Sequence, residues 1–269
     1  MALAHNLGFP RFGSDRELRA RHWQVQKDAG IELLPVGDFA WCDHPFAQCW
    51  EQLFDEVTEA KALGHAVKPV VIGPLTYLWQ ASKGNADLDE LEHLLPLYDL
   101  GLNRLAALGA EWVQIDEPIL AQELPQDWKN AFERVYNILQ RAPLKKLIAT
   151  YFGGLEGNLG LAVTLPVDGL HVDLVQAPDQ YQTLLDRLPA YKVLSLGLVD
   201  GRNASPCDLE NTLDLLRDAH DRLGERLWVA TACPLLQSPV EQAVHKCQEV
   251  ALLAAGVNEA AAREVRATA

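Results

Sequence analysis

Short apolar runs alternate with longer amphipathic stretches along this chain. The runs are Asn6–Phe12, Ile31–Phe39, Val67–Leu75, Trp112–Glu117, Lys146–Phe152, Gly169–Val175, Val193–Val199 and Leu227–Ala232. Near-continuous apolar character over so few residues predicts strands covered on both faces, as in a parallel sheet. The first run, Asn6–Phe12, contains no β-branched residue and carries the weakest strand signal. Between the runs the period changes to that of a helix. Trp128, Phe132, Val135 and Leu139 form one stripe, Leu209, Leu213, Leu216 and Leu223 a second, and Val240, Val244, Cys247 and Ala251 a third.

Punctuation supports the alternation. Ser238-Pro239-Val240-Glu241 and Ser205-Pro206-Cys207-Asp208 read as helix starts, with a capping serine and a proline in the first turn. Gly30, Gly64, Gly109 and Gly224 each stand where a helix should stop before a strand. Pro96 should kink or split a helix running from about Asp87 to Leu108, and the glycines of Gly153–Leu165 predict a short helix there. The Ala-, Arg- and Glu-rich tail after Gly256 reads as an exposed helix end. Eight β/α units predict an α/β fold, a single (β/α)8 TIM barrel over residues 1–269, with its functional face at the C-terminal ends of the strands.

Composition narrows the partners. The 269 residues carry 23 Lys and Arg against 37 Asp and Glu, a formal charge of −14, which disfavours nucleic acid and anionic membranes. There is no apolar window long enough to span a bilayer and no secretory pattern at Met1–Asn6. The five cysteines are scattered, without a C-x-x-C pair, which fits a reducing cytoplasm.

The barrel rule turns polar residues at strand ends into candidates for the mouth: Arg11, Asp38, Asp116, Glu117, His171, Asp173, Asn203 and Cys233. Asp116 and Glu117 are adjacent, so strand alternation sends them to opposite sides and favours Asp116 for the interior. His171 and Asp173 share a face, and with Cys233 they are the weak candidates for a zinc-type metal site; a histidine bonded to a nearby carboxylate explains the same residues. Cys233 is either a nucleophile or a small buried hydrophobe. Arg11, Arg16 and Arg19 form the cationic cluster nearest a strand end, suited to carboxylates or phosphates or simply to solvent. No glycine-rich phosphate loop is present.

Four segments carry a resemblance: Asn6-Leu7-Gly8-Phe9-Pro10-Arg11-Phe12-Gly13, Leu33-Leu34-Pro35-Val36-Gly37-Asp38-Phe39-Ala40-Trp41, Trp112-Val113-Gln114-Ile115-Asp116-Glu117-Pro118 and Gly169-Leu170-His171-Val172-Asp173-Leu174-Val175. Together they resemble the N-terminal half of cobalamin-independent methionine synthase, along essentially the whole chain. The resemblance implies a cytoplasmic two-barrel family that moves a methyl group from 5-methyltetrahydrofolate polyglutamate to homocysteine. Its catalytic zinc lies in the C-terminal barrel, and its N-terminal barrel supports folate. It further implies that Arg16, Glu17, Leu18 and Arg19 contact folate. This chain departs from the pattern in several places, one of them a shortened stretch between Pro239 and Lys246. Its Ala149-Thr150-Tyr151-Phe152 strand end has neither the histidine nor the cysteine of a zinc site. Asp15–Trp23 fuses two Arg-Glu-Leu motifs into one, and an insert expected after Asp43-His44, which carries a folate-contacting lysine, is absent. The expectation is a folate-side support barrel that holds no cofactor itself, with folate polyglutamate as ligand and a C-terminal catalytic barrel as partner. Two alternatives stay open: a stand-alone barrel, trimmed or engineered, without activity, and an independent zinc methyltransferase with a site rebuilt from His171, Asp173 and Cys233.

Overall fold

The computed structural model describes residues 1–37, 46–82 and 87–268. Eight parallel strands run in the order β1-β8-β7-β6-β5-β4-β3-β2. They are β1 (Leu3–Ala4), β2 (Leu34–Val36), β3 (Val67–Ile72), β4 (Trp112–Asp116), β5 (Lys145–Ala149), β6 (Gly169–Asp173), β7 (Val193–Val199) and β8 (Leu227–Thr231). A parallel bridge between His5 and Leu33 joins the two ends of that order, so the sheet closes into a (β/α)8 barrel. The helices are α1 (Arg16–Asp28), α2 (Phe46–Ala62), α3 (Pro74–Ser82), α4 (Leu91–Ala107), α5 (Gln126–Leu139), α6 (Leu159–Thr164), α7 (Tyr181–Arg187), α8 (Leu209–Leu223) and α9 (Val240–Thr268). Among the described residues no helix is long and apolar enough to cross a membrane.

The predicted α5 stripe faces the sheet, with Trp128, Phe132, Val135 and Leu139 all buried, whereas in α9 Cys247 is buried and Val240 at the helix start is exposed. Against the helices lie the outward residues of the strands, among them Val113, Ile115, Ile148, Leu170 and Leu196, which are fully buried. Gly30, Gly64, Gly109 and Gly224 have φ of +94°, +80°, +79° and +58°, a region where a Cβ is strained, which is why glycine closes these helices.

Several expectations shift. The first strand is Leu3–Ala4 rather than Asn6–Phe12; Leu7 and Phe9 instead fold over the barrel top as buried loop residues. Pro96 lies inside an unbroken α4, and the interruption comes earlier, where a 3-10 turn at Leu88–Glu90 precedes it. The α8 cap is Asp208, whose carboxylate accepts from the Asn211 amide at 3.2 Å, not Ser205. The Ser238 hydroxyl donates to the Gly201 carbonyl at 3.2 Å.

The barrel interior has three levels. The floor is apolar: Leu33, Trp112, Leu147 and Trp228, with the two indoles 4.6 Å apart. The middle is polar, with His5, Lys68, Gln114, His171 and Ser195 all fully buried. The upper level packs Leu7, Ala149, Tyr151 and Cys233 beneath the mouth.

Candidate functional site

The strand ends of β4 to β8 build the described part of the mouth, and alternation decides what reaches it. Asp116 ends β4 half-buried and facing inward; its Oδ1 accepts from Gln114 Nε2 at 2.7 Å and its Oδ2 from the Tyr151 hydroxyl at 3.2 Å. Glu117, one residue on, points out of the barrel and is fully buried. One carboxylate oxygen accepts from the Thr76 amide (2.8 Å) and hydroxyl (2.5 Å), the other from the Leu75 amide (3.3 Å) and the Tyr136 hydroxyl (2.9 Å). Glu117 is thus the acceptor at the N-terminus of α3 and not a mouth residue. Gly73 has to be glycine because a Cβ there would overlap this carboxylate. Burial pushes the Glu117 carboxyl up to about 7, against the pull of Thr76 and Tyr136.

His171 sits below the mouth, in the polar middle level. Its Nδ1 lies 2.8 Å from Ser195 Oγ, and His5 Nε2 lies 2.6 Å from the same oxygen. The serine has one proton, so the two rings cannot both accept from it and at least one of them donates, which couples the two tautomers. Burial lowers both rings, His171 to about 3, so both are neutral at pH 7. Asp173 ends β6 fully buried, its Oδ1 accepting from the Val175 and Gln176 amides at 3.0 and 2.9 Å. Its other oxygen lies 3.9 Å from Arg202 Nη1. Arg202 is anchored by Asp200 (Nε to Oδ1, 3.0 Å), and with the Gln176 amide oxygen turned toward it, that oxygen accepts from Nη1 and Nη2 at 2.9 Å. Asn203 is exposed and braces its own loop through Asp200 and Ser205, so it does not face the mouth. Asp38 lies outside the described residues.

The arginine cluster is arranged differently from its expected role. Arg11 Nη2 contacts both oxygens of Glu56 at 3.0 Å, and Arg19 grips Glu59 at 2.8 and 2.7 Å. Both acids come from α2, three residues apart on one face. Arg11 and Arg19 are therefore tied to internal carboxylates, whereas Arg16 and Glu17 in the first turn of α1 are exposed and Leu18 is half-buried. The spacing of the basic residues gave no sign of this, because the acids lie some 40 positions away.

Among the described residues no three His, Cys, Asp or Glu side chains converge as a metal ion requires. His171 points its Nδ1 at Ser195, and Cys233 is buried, its thiol pushed up to about 11 by desolvation.

The mouth opens into a cavity of about 550 Å³ between the ends of β5, β7 and β8, lined by Tyr151, Phe152, Arg202, Cys233, Pro234 and Leu236 among others. Phe152 is 61% exposed and holds φ of +67°, a strained backbone for a bulky residue. Its ring meets Tyr151 edge-on, 4.8 Å between centroids. The sequence placed Tyr151 and Phe152 at a strand end without singling them out, and Arg202 carried no signal of its own. Strain at Phe152 has no signature in residue spacing.

The fold matches a B12-independent methionine synthase from Shewanella sp. W3-18-1 in complex with selenomethionine, with a TM-score of 0.72, 14% identity and 98% of each chain covered. It matches a methyltransferase from Methanosarcina mazei (TM-score 0.64, 12% identity, 91% of this chain and 86% of that one). It also matches a family 2 AP endonuclease from Brucella melitensis (0.55, 14%, 90% and 96%). At such identities these likenesses establish the barrel and not its chemistry. The sequence itself is more specific, because residues 44–224 match the family described as cobalamin-independent synthase, N-terminal domain, and this chain belongs to that family.

Proposed function

We propose that this chain is the folate-side barrel of cobalamin-independent methionine synthesis: it binds 5-methyltetrahydrofolate polyglutamate at its mouth and leaves homocysteine activation to a zinc-bearing barrel. The observation that carries the reading is the mouth itself: an aromatic wall and a guanidinium stand around a cavity of about 550 Å³, where a metal-dependent thiol transferase needs converging thiolate and imidazole ligands. The flat heterocycle of a folate suits the wall of Tyr151 and Phe152. Its glutamate carboxylate suits Arg202, and Arg16 is an exposed cation in the first turn of α1 for further glutamates. With a net charge of −14 the protein repels polyanions at long range, so binding depends on such local cations.

Calorimetry with 5-methyltetrahydrofolate in mono- and triglutamate forms tests the reading. Binding of both, tighter for the triglutamate and weakened at least tenfold in Phe152→Ala and Arg202→Ala, supports it; no binding of either form rejects it. A second reading draws on the Shewanella protein, whose chain matches this one over 98% of both lengths and is described in complex with selenomethionine. On that reading the mouth takes a methionine-sized amino acid, and methionine rather than folate would give the calorimetric signal.

A further inference from the structure

Alternate residues of β4 enter the barrel at successive levels: Trp112 at the floor, Gln114 in the middle and Asp116 at the mouth. Barrel interiors of this type are ordinarily filled with branched apolar side chains. A buried amide beside a buried ammonium is costly unless every group is bonded. Here the bonds form a chain. Lys68 Nζ donates to Gln114 Oε1 and, at 3.1 Å, to the Asn6 carbonyl. Gln114 Nε2 donates to the Leu7 carbonyl at 3.0 Å and to Asp116 Oδ1 at 2.7 Å. The other oxygen of Asp116 receives the Tyr151 hydroxyl, and Tyr151 meets Phe152 edge-on.

The amide of Gln114 has one workable orientation in this chain. Lys68 offers only donors, so it must face the amide oxygen; the Leu7 carbonyl and the Asp116 carboxylate only accept, so they must face the amide nitrogen. We propose that Gln114 is a positioning residue for the mouth: it links the Lys68 ammonium to Asp116 and, through Asp116, sets the Tyr151 hydroxyl and the aromatic wall shared with Phe152. Gln114 touches no ligand in this arrangement. It acts through Asp116, which it holds by one oxygen while Tyr151 holds the other. Only the meaning of that wall as a ligand surface rests on the function proposed above; the linkage from Lys68 to Tyr151 does not.

The test separates the two. Carbon-13 labelling at tyrosine Cζ reports whether the Tyr151 hydroxyl donates to a carboxylate, with the signal assigned by Tyr151→Phe and its unbonded position set by Asp116→Ala. In ligand-free Gln114→Met, the Tyr151 signal is expected to move to the Asp116→Ala position while far-UV circular dichroism stays unchanged. Affinity for 5-methyltetrahydrofolate triglutamate is expected to fall at least fivefold. Where Gln114→Met does not fold, Gln114→Asn is used, since its shorter amide cannot span Lys68 and Asp116 and the same displacement is expected. A folded variant whose Tyr151 signal remains at the wild-type position overturns the proposal. Failure of the wild-type protein to bind folate overturns the functional reading alone, because the Tyr151 signal still judges the linkage.

Discussion

Glu117→Ala should be the most damaging single change at the strand-four end, far more so than Asp116→Ala. The alanine removes a fully buried carboxylate that accepts from two backbone amides, at Leu75 and Thr76, and from the hydroxyls of Thr76 and Tyr136. The two amides belong to the first turn of α3, where the helix itself supplies no acceptor. A buried donor left without a partner costs about 1–3 kcal/mol, and the side-chain methylenes add about 0.8 kcal/mol each. Even if both hydroxyls turn to other acceptors, two orphaned amides and the lost packing total about 4 kcal/mol. That is a large share of the roughly 5–15 kcal/mol that holds a typical domain together. Asp116 is half-buried and has two hydrogen-bond partners named above, so its truncation should cost about 1–2 kcal/mol. Urea unfolding followed by circular dichroism gives both values. A Glu117→Ala loss below about 1.5 kcal/mol, or an Asp116→Ala loss above about 3 kcal/mol, would refute the division of the pair into one structural and one mouth carboxylate.

Three further outcomes are expected. Arg16→Ala alone should reproduce the whole loss of triglutamate affinity of the Arg16→Ala/Arg19→Ala double variant, since Arg19 is engaged with Glu59; an equal loss in Arg19→Ala by itself would contradict this. Phe152→Gly should relieve the positive φ, leaving stability unchanged or raised by up to about 1 kcal/mol while weakening folate binding; a clear loss of stability would show that the ring holds the fold. His171 has a folded value near 3 against an ordinary 6.5, so only the unfolded chain takes up its proton between those values. The stability it permits is complete above pH 6.5 and falls by about 1.4 kcal/mol per unit as pH drops toward 3, a slope that His171→Gln should flatten in urea titrations at pH 7, 6 and 5.

Much of the barrel was legible from pattern because its causes are local. Strands β3 to β8 are short apolar runs, and four helices end at glycines that the backbone requires. The first strand was not, since Leu3–Ala4 is two residues without β-branching and is held by its neighbours in the sheet. Alternation correctly separated Asp116 from Glu117. It gave no hint that Glu117 caps α3, because that bond depends on where a different β/α unit lies. The same limit hid the pairing of Arg11 and Arg19 with Glu56 and Glu59, and the surroundings of Arg202, whose neighbours Asp173 and Gln176 come from the end of β6 and the loop after it. Local spacing finds strand ends; which of them meet is decided by closure of the barrel.

The central claim is that this barrel binds the methyl donor but does not itself activate homocysteine. Its most direct test is methionine formation by the purified chain supplied with 5-methyltetrahydrofolate triglutamate, homocysteine and zinc. The account predicts no turnover above the uncatalysed rate, because among the described residues Cys233, His171 and Asp173 do not converge as metal ligands. Zinc-dependent methionine formation that is abolished in Cys233→Ser would contradict it.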